Sequence, residues 1–219
     1  MAVQLYEASF RQLSDTERDA WKDTEAAAVS DCLERGMAMD GGIKSLDPAM
    51  QLVGQARTVR CMVGDNSALH AAITLIEPGE ILVADAGGFL GTAVWGGLMT
   101  EAARRKGIAG LIVDGAVRDQ TEIIKSAFPC FARGAVPAGP HKGFGGAIDV
   151  PISCGGVAVH PGDLIVADAD GVTVVPLARV ETTLSAYRAL KAKEEQALAA
   201  LDAGGSLADI YGVPEVTKV

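Results

Sequence analysis

The chain has 219 residues, 49% of them hydrophobic, enough to bury a sizeable core in one large domain or two small ones. A net charge of −9 excludes a general nucleic-acid or anionic-membrane binder, because no basic stripe offsets phosphate repulsion. The opening MAVQLYEASFRQLSD places acidic and polar residues where a signal peptide needs a continuous apolar segment, and no run reaches membrane-spanning length, so a cytoplasmic location is expected. The cysteines, Cys32, Cys61, Cys130 and Cys154, are widely spaced, with no CxxC pair or histidine cluster, and read as reduced core fillers.

In chain order, Asp15-Thr16 opens an amphipathic helix expected to run to about Arg35, with Gly36 ending it. Leu52 to Val63 alternates as a strand, and Asn66 to Leu75 reads as a short helix stopped by Glu77-Pro78-Gly79. The chain then echoes itself: EPGEILVADAGG (Glu77 to Gly88) is matched by HPGDLIVADADG (His160 to Gly171). The echo implies two equivalent strands in a pseudo-symmetric sheet, with Asp85 and Asp168 at matching ends as turn formers. Ile148 to Pro176 alternates through further turns and reads as a β-meander. Strands around central βα units with helices at both ends imply an α/β layered fold, one domain over 1–219 with an N-terminal helical segment (1–50) and a C-terminal helical extension (177–219).

The segment GGLMTEAARRKGIAGLIVDGAVRD, Gly96 to Asp119, carries the chemistry. Gly96-Gly97 precede a helix, Leu98 to Lys106, whose first amides lack intrahelical partners and sit at the positive end of the dipole, so Leu98 and Met99 suit a small anion. Ala109 to Val113 is a short buried strand, Asp114-Gly115 a turn, and Arg118-Asp119 follows. Arg118 offers a fixed fork of donors for a carboxylate or enolate, and Asp119 a hard oxygen ligand for a divalent cation. As an anonymous dipeptide the pair would read as a solvated helix start, with Asp119 as N-cap.

This segment, with DNSALHAAI, FARGAVPAGP and GGVAVHPGDLIVADADGVTVVP, resembles the family of class II 4-hydroxy-4-methyl-2-oxoglutarate and 4-carboxy-4-hydroxy-2-oxoadipate aldolases, which also includes the regulator of ribonuclease activity A. The resemblance implies a central, barrel-like β-sheet and a homotrimer or hexamer. It implies that Gly96, Gly97, Leu98 and Met99 line the pyruvyl part of an oxo-acid substrate, that Arg118 contacts it, and that Asp119 ligates Mg²⁺, Mn²⁺ or another divalent metal. Gly97 departs from the pattern, since many relatives carry an acidic residue there, and the proton-handling group is left open.

A substitute carboxylate is sought in the C-terminal helix, where Val180, Leu184, Tyr187, Leu190, Leu198 and Leu201 form an apolar stripe and Glu194 falls on or beside it. Read alone, Glu194 is a rim residue near Lys191. The resemblance implies a glutamate of this helix reaching the metal waters of a neighbouring subunit, and Glu194 is preferred over Glu195, which helical geometry turns roughly 100° away. The expected reaction is retro-aldol cleavage of a 4-hydroxy-2-oxo diacid to pyruvate through a metal-stabilised enolate, with Glu194 orienting the basic water and oxaloacetate decarboxylation as a side activity. His141-Lys142, in GPHKGFGG, is a candidate for the distal carboxylate, although an exposed loop explains it as well. A Schiff-base aldolase is disfavoured because no lysine lies in a strand pattern. The rival from a different class is a non-catalytic regulator binding an RNA-processing enzyme, and a third possibility is a lyase for another oxo acid.

Overall fold

The apolar run after the glycine-led helix becomes a strand buried along its whole length, Gly110–Val117, and the rest of the sheet is laid around it. The computed structural model describes residues 2–218; Met1 and Val219 lie outside the described residues. The chain begins with β1 (Val3–Leu5), α1 (Asp15–Asp19), α2 (Ala26–Asp31) and β2 (Lys44–Ser45). It continues through β3 (Leu52–Cys61), α3 (Ser67–Leu75), β4 (Ile81–Asp85), β5 (Ala93–Trp95), α4 (Gly97–Lys106), β6 (Gly110–Val117), α5 (Gln120–Lys125) and β7 (Cys130–Ala135). β8 (Gly146–Ile148), β9 (Ile152–Cys154), β10 (Val157–Val159), β11 (Leu164–Asp168) and β12 (Gly171–Val175) precede α6 (Val180–Asp202) and α7 (Leu207–Tyr211).

The α/β expectation holds, as a large mixed sheet with flanking helices. Along it the order is β1-β8-β3-β4-β6-β7-β2; β11 joins β3, β12 joins β11 and β5 joins β6. The middle strands β3, β4, β6 and β7 run parallel and are linked through α3, α4 and α5. Parallel strands covered on both faces need apolar residues on both, and the alternation shows this. Leu82, Ala84, Leu111 and Val113 pack with α3 and α4, whereas Ile81, Val83 and Ile112 pack against β9, β10 and β11. A third cluster joins Trp21, Val29 and Leu33 to Leu164, Val166 and Tyr187.

The helix expected from Asp15 to about Arg35 is two short helices. Ser14 starts α1 through a reciprocal capping box with Glu17, but Trp21 is drawn fully into the core and Thr24 Oγ1 donates to Trp21 O at 2.8 Å, closing the turn. The start of α2 is anchored from outside, with Ala26 N–H donating to Asp168 at 2.8 Å and Thr173 Oγ1 donating to Ala26 O at 2.9 Å. The stop comes before Gly36, at Glu34 and Arg35, both in the left-handed region. The N-terminal segment therefore holds two short strands and two short helices.

The two echoed segments do form strands of the same burial pattern, and each aspartate accepts from a backbone N–H two residues on, at 2.9 Å, as a turn former. They flank β3 in opposite senses: β4 runs parallel to Ala56–Arg60, and β11 antiparallel to Leu52–Gln55. The expected meander is two hairpins, β9 with β10 and β11 with β12, while β8 leaves to pair with β1 and β3.

Asp114-Gly115 is not a turn. β6 runs through it with a register shift against β7 between Val113 and Ala116, which is the mark of a bulge. Asp114 is tolerated there because its carboxylate accepts from Arg133 Nε at 2.5 Å and from Gly155 N–H at 2.8 Å. Removing one partner of such a nearly buried pair strands the other. Asp114→Ala is expected to cost about 2–3 kcal/mol, lowering Tm by roughly 5–10 °C in a chain of this size, readable by thermal denaturation.

Candidate active site

The crevice beyond the carboxyl ends of parallel strands is where α/β sheets collect ligand sites. Here a pocket of about 260 Å³ lies there, bordered by the exits of β5 and β6 and the starts of α3, α4 and α5. It is smaller than the roughly 300–1,000 Å³ of sites for drug-sized ligands and suits a small acid. Gly96, Gly97, Leu98, Met99, Arg118 and Asp119 all border it, so the two halves expected from the sequence do meet.

They meet through the backbone. Arg118 N–H donates to Trp95 O at 2.9 Å, tying the end of β6 to the strand that feeds α4. Trp95 is fixed in turn, its indole N–H donating to Thr100 Oγ1 at 2.8 Å and its ring stacked on Phe128. Thr100 N–H makes a first helical bond, to Gly96 O at 3.0 Å, so the amides of Leu98 and Met99 have no intrahelical acceptor. Met99 is buried, whereas Leu98 is 90% exposed and takes no part in the core packing.

Asp119 occupies the N-cap position of α5 but makes no side-chain cap bond. Its backbone is left-handed (φ 59°), and its Oδ2 instead accepts from Gly97 N–H at 3.0 Å. A non-glycine residue held in that conformation stores strain, a condition that gathers at functional sites. A Cβ at Gly96 would lie 2.7 Å from Asp119 Oδ2, so the approach needs glycine. The Arg118 and Asp119 side chains are 44% and 40% exposed, with Nε and Oδ2 3.6 Å apart.

Glu122, which the sequence reading did not select, also borders the pocket. A Cβ built at Gly97 would fall on Glu122 Oε2, far inside van der Waals contact. A carboxylate from α5 thus occupies the space that a side chain at position 97 would take. The available signal was its spacing: three residues after Asp119 at a helix start, Glu122 shares its face. Asp119 and Glu122 are hard oxygen donors beside a cradle free of side chain, a set that fits a Mg²⁺-type cation, which takes one or two carboxylates and keeps most of its waters.

The lining also holds basic residues. His70, on α3, and Lys142 border the pocket, whereas His141 packs against the Phe144 ring. The loop is strapped to α3 by Phe144 N–H donating to Asp65 Oδ2 at 3.1 Å and Asn66 N–H donating to His141 O at 3.3 Å. Of the candidate pair His141-Lys142, the lysine alone reaches the site. Glu194 is not brought there within one chain. It pairs with Lys191 at 2.6 Å and lines a separate cavity of about 810 Å³ with Cys32, Arg35 and Tyr211. The three buried thiols, Cys61, Cys130 and Cys154, are pushed upward by burial and act as core fillers.

Residues 26–174 match the model of the RraA-like family, described as Aldolase/RraA, and the chain belongs to that family. A Halalkalibacterium halodurans protein provisionally named a 4-hydroxy-4-methyl-2-oxoglutarate aldolase is 44% identical over 77% of this chain and 78% of its own. A Thermus thermophilus protein named 4-hydroxy-4-methyl-2-oxoglutarate aldolase is 35% identical over 68% of this chain and 90% of its own. The structure described as the RNA-processing inhibitor RraA from Thermus thermophilis superimposes with a TM-score of 0.65 at 34% identity, covering 70% of this chain and 93% of that one. Among the described residues, no helix is long and apolar enough to cross a membrane.

Burial holds the His70 imidazole below the usual histidine range, the Lys142 charge adds to this, and Asp65 opposes it. A group that resists protonation in the folded state is neutral at pH 7 and charges only as pH falls below its ordinary value. Lys142→Ala is expected to move the His70 titration upward without restoring it fully, because burial is the larger cause; an NMR titration of the imidazole checks this.

Proposed function

We propose that this pocket performs a divalent-metal-dependent retro-aldol cleavage of a 4-hydroxy-2-oxo diacid, of the 4-hydroxy-4-methyl-2-oxoglutarate or 4-carboxy-4-hydroxy-2-oxoadipate kind, releasing pyruvate. The observation that carries the reading is the convergence, in one small pocket, of the open Leu98 and Met99 amides, Arg118, and the carboxylates of Asp119 and Glu122. The names of the relatives point the same way.

Each residue has a chemical task. The Leu98 and Met99 amides, at the positive end of α4, hold the substrate carboxylate. Arg118 faces the 2-oxo oxygen and offsets the negative charge that collects there when the C3–C4 bond breaks and leaves the enolate of pyruvate. Glu122 takes the 4-hydroxyl proton, directly or across one water, as C4 becomes a carbonyl. Asp119 would hold Mg²⁺ or Mn²⁺, which supplies Lewis-acid polarisation when bound, with Glu122 beside it left free to act as the base. His70 and Lys142 receive the second carboxylate, and a diacid is then clamped at both ends although the whole chain is acidic. Oxaloacetate decarboxylation produces the same enolate and is the expected side activity. Glu194 serves this chemistry only across a subunit boundary, in a trimer or hexamer.

A second reading, a regulator without chemistry, is favoured by the Thermus neighbour described as an RNA-processing inhibitor. Such a role makes no use of Asp119 or a chelatable ion.

Pyruvate release from both diacids and oxaloacetate, followed through lactate dehydrogenase with Mg²⁺ and then EDTA, separates the two. We expect chelator-sensitive release, a loss of about 100- to 1,000-fold in Arg118→Ala, and about 100-fold in Glu122→Gln. Release that survives both EDTA and Asp119→Ala, or no release from any of the three, would sink the aldolase reading. For Glu194, mixing inactive Asp119→Ala and Glu194→Ala chains after subunit exchange is expected to restore part of the activity; no recovery would remove Glu194 from the site.

A further inference from the structure

A 4-hydroxy-2-oxo acid offers the pocket many hydrogen-bond acceptors and one aliphatic donor, its 4-hydroxyl. Most of what borders the pocket answers the acceptors: Arg118, Lys142, His70 and the α4 amides all donate. Besides the two carboxylates, the neutral nitrogen and oxygen side-chain acceptors among the described residues there are the unprotonated ring nitrogen of His70 and the amide oxygen of Asn66.

Asn66 sits at the start of α3 and is only 3% exposed. Its amide is held by its nitrogen end, Nδ2 donating to Val94 O at 3.1 Å and contacting Met99 Sδ at 3.2 Å. This fixes which end is which, because turning the amide over would set Oδ1 against the Val94 carbonyl. The oxygen is thereby left buried with no hydrogen-bond partner among the described residues. A buried orphan acceptor is rare and needs a reason. The same residue borders the pocket next to His70, Met99 and Lys142.

We propose that Asn66 is a specificity-determining residue whose Oδ1 accepts the 4-hydroxyl of the substrate, so that the site selects hydroxy acids over analogues lacking that hydroxyl. The proposal rests on the retro-aldol reading for the identity of the ligand, but not on catalysis itself. Its physical basis is that Oδ1 is already shielded from bulk water in the folded chain. The cost of desolvating it is therefore built into the fold, and a ligand hydroxyl that reaches it as the surrounding side chains give way gains a bond without displacing a competing water. An amide does not take up the proton, so Asn66 differs in role from Glu122: it accepts from the hydroxyl when the substrate binds, and the O–H turns to the carboxylate when the proton is transferred. A site with a dedicated hydrogen-bond partner for a hydroxyl discriminates strongly against its absence.

The test compares binding of 4-hydroxy-4-methyl-2-oxoglutarate with that of 4-methyl-2-oxoglutarate, which lacks the hydroxyl, by calorimetry on the whole protein with and without Mg²⁺. In the wild type the hydroxy acid is expected to bind about 10- to 100-fold more tightly, the range for one hydrogen bond to a buried acceptor. Asn66→Ala should abolish that preference, and Asn66→Ser, whose hydroxyl can donate to Val94 O but is too short to meet the ligand, should abolish it too and carries the comparison if the alanine variant does not fold. A wild-type ratio near one, or a ratio unchanged in whichever of the two variants folds, overturns the proposal. Hydroxyl-selective binding without pyruvate release would defeat the aldolase reading and leave Asn66 in its role; release without selective binding would do the reverse.

Discussion

The bond from Gly97 N–H to Asp119 Oδ2, 3.0 Å long, is the constraint on which the site depends. It joins the first residue of α4 to the residue just past β6, segments separated by 22 positions in the chain. Each side is made rigid by what lies behind it. β6 is buried at every position, and Trp95, which precedes Gly96, is locked by Thr100 and Phe128. The clamp has a steric condition as well, since side chains at positions 96 and 97 would collide with Asp119 and Glu122. The glycines leave room for the carboxylates that approach them, and Asp119 makes its approach from a left-handed backbone.

The clamp also bears on how the pocket would hold an ion. In the structure one oxygen of Asp119 is engaged by the Gly97 amide, so the carboxylate keeps a fixed orientation with its other oxygen available. Outer hydrogen bonds of this kind orient a metal ligand and raise its usefulness. Glu122 stands beside it on the same face of α5, and the two carboxylates share a wall with Arg118, whose charge moderates their repulsion. The arrangement is preorganised by backbone geometry rather than by a dense side-chain network.

Much of this was legible in the sequence where local pattern and tertiary demand agree. Gly96 to Lys106 reads as a glycine-led helix and is one, and the apolar run after it reads as a buried strand because both faces of β6 are covered. Legibility failed where a distant partner overrides local chemistry. Asp114-Gly115 has turn composition, but Arg133 and Gly155 pair the carboxylate and carry the strand through as a bulge. The long N-terminal helix is broken by burial of Trp21 and by anchors from Asp168 and Thr173, some 140 residues away. Glu122 was hidden for a related reason: its meaning lies in the space beside Gly97, and that relation exists only once α4 and α5 start side by side. Asn66 was equally opaque, because an unpaired oxygen is a property of packing and not of residue type.

The electrostatic question posed by composition is how a chain of net charge −9 would attract a dianion. The structure brings opposing charge to the pocket, whose lining includes Arg118, Lys142 and the first residues of α4. Over the few ångströms that matter for a bound carboxylate, such fixed donors outweigh a diffuse surface charge that salt screens within about 8 Å at physiological ionic strength. The acidic exterior then acts on encounter more than on binding, slowing approach and leaving discrimination to the walls of the pocket. A cation at Asp119 and Glu122 would complete that local balance, since without one the two carboxylates face the same negative ligand that Arg118 and Lys142 attract. Geometry that brings acids and bases together in one small pocket therefore implies a third charge, and it is this requirement, more than any single residue, that ties the candidate metal to the candidate substrate.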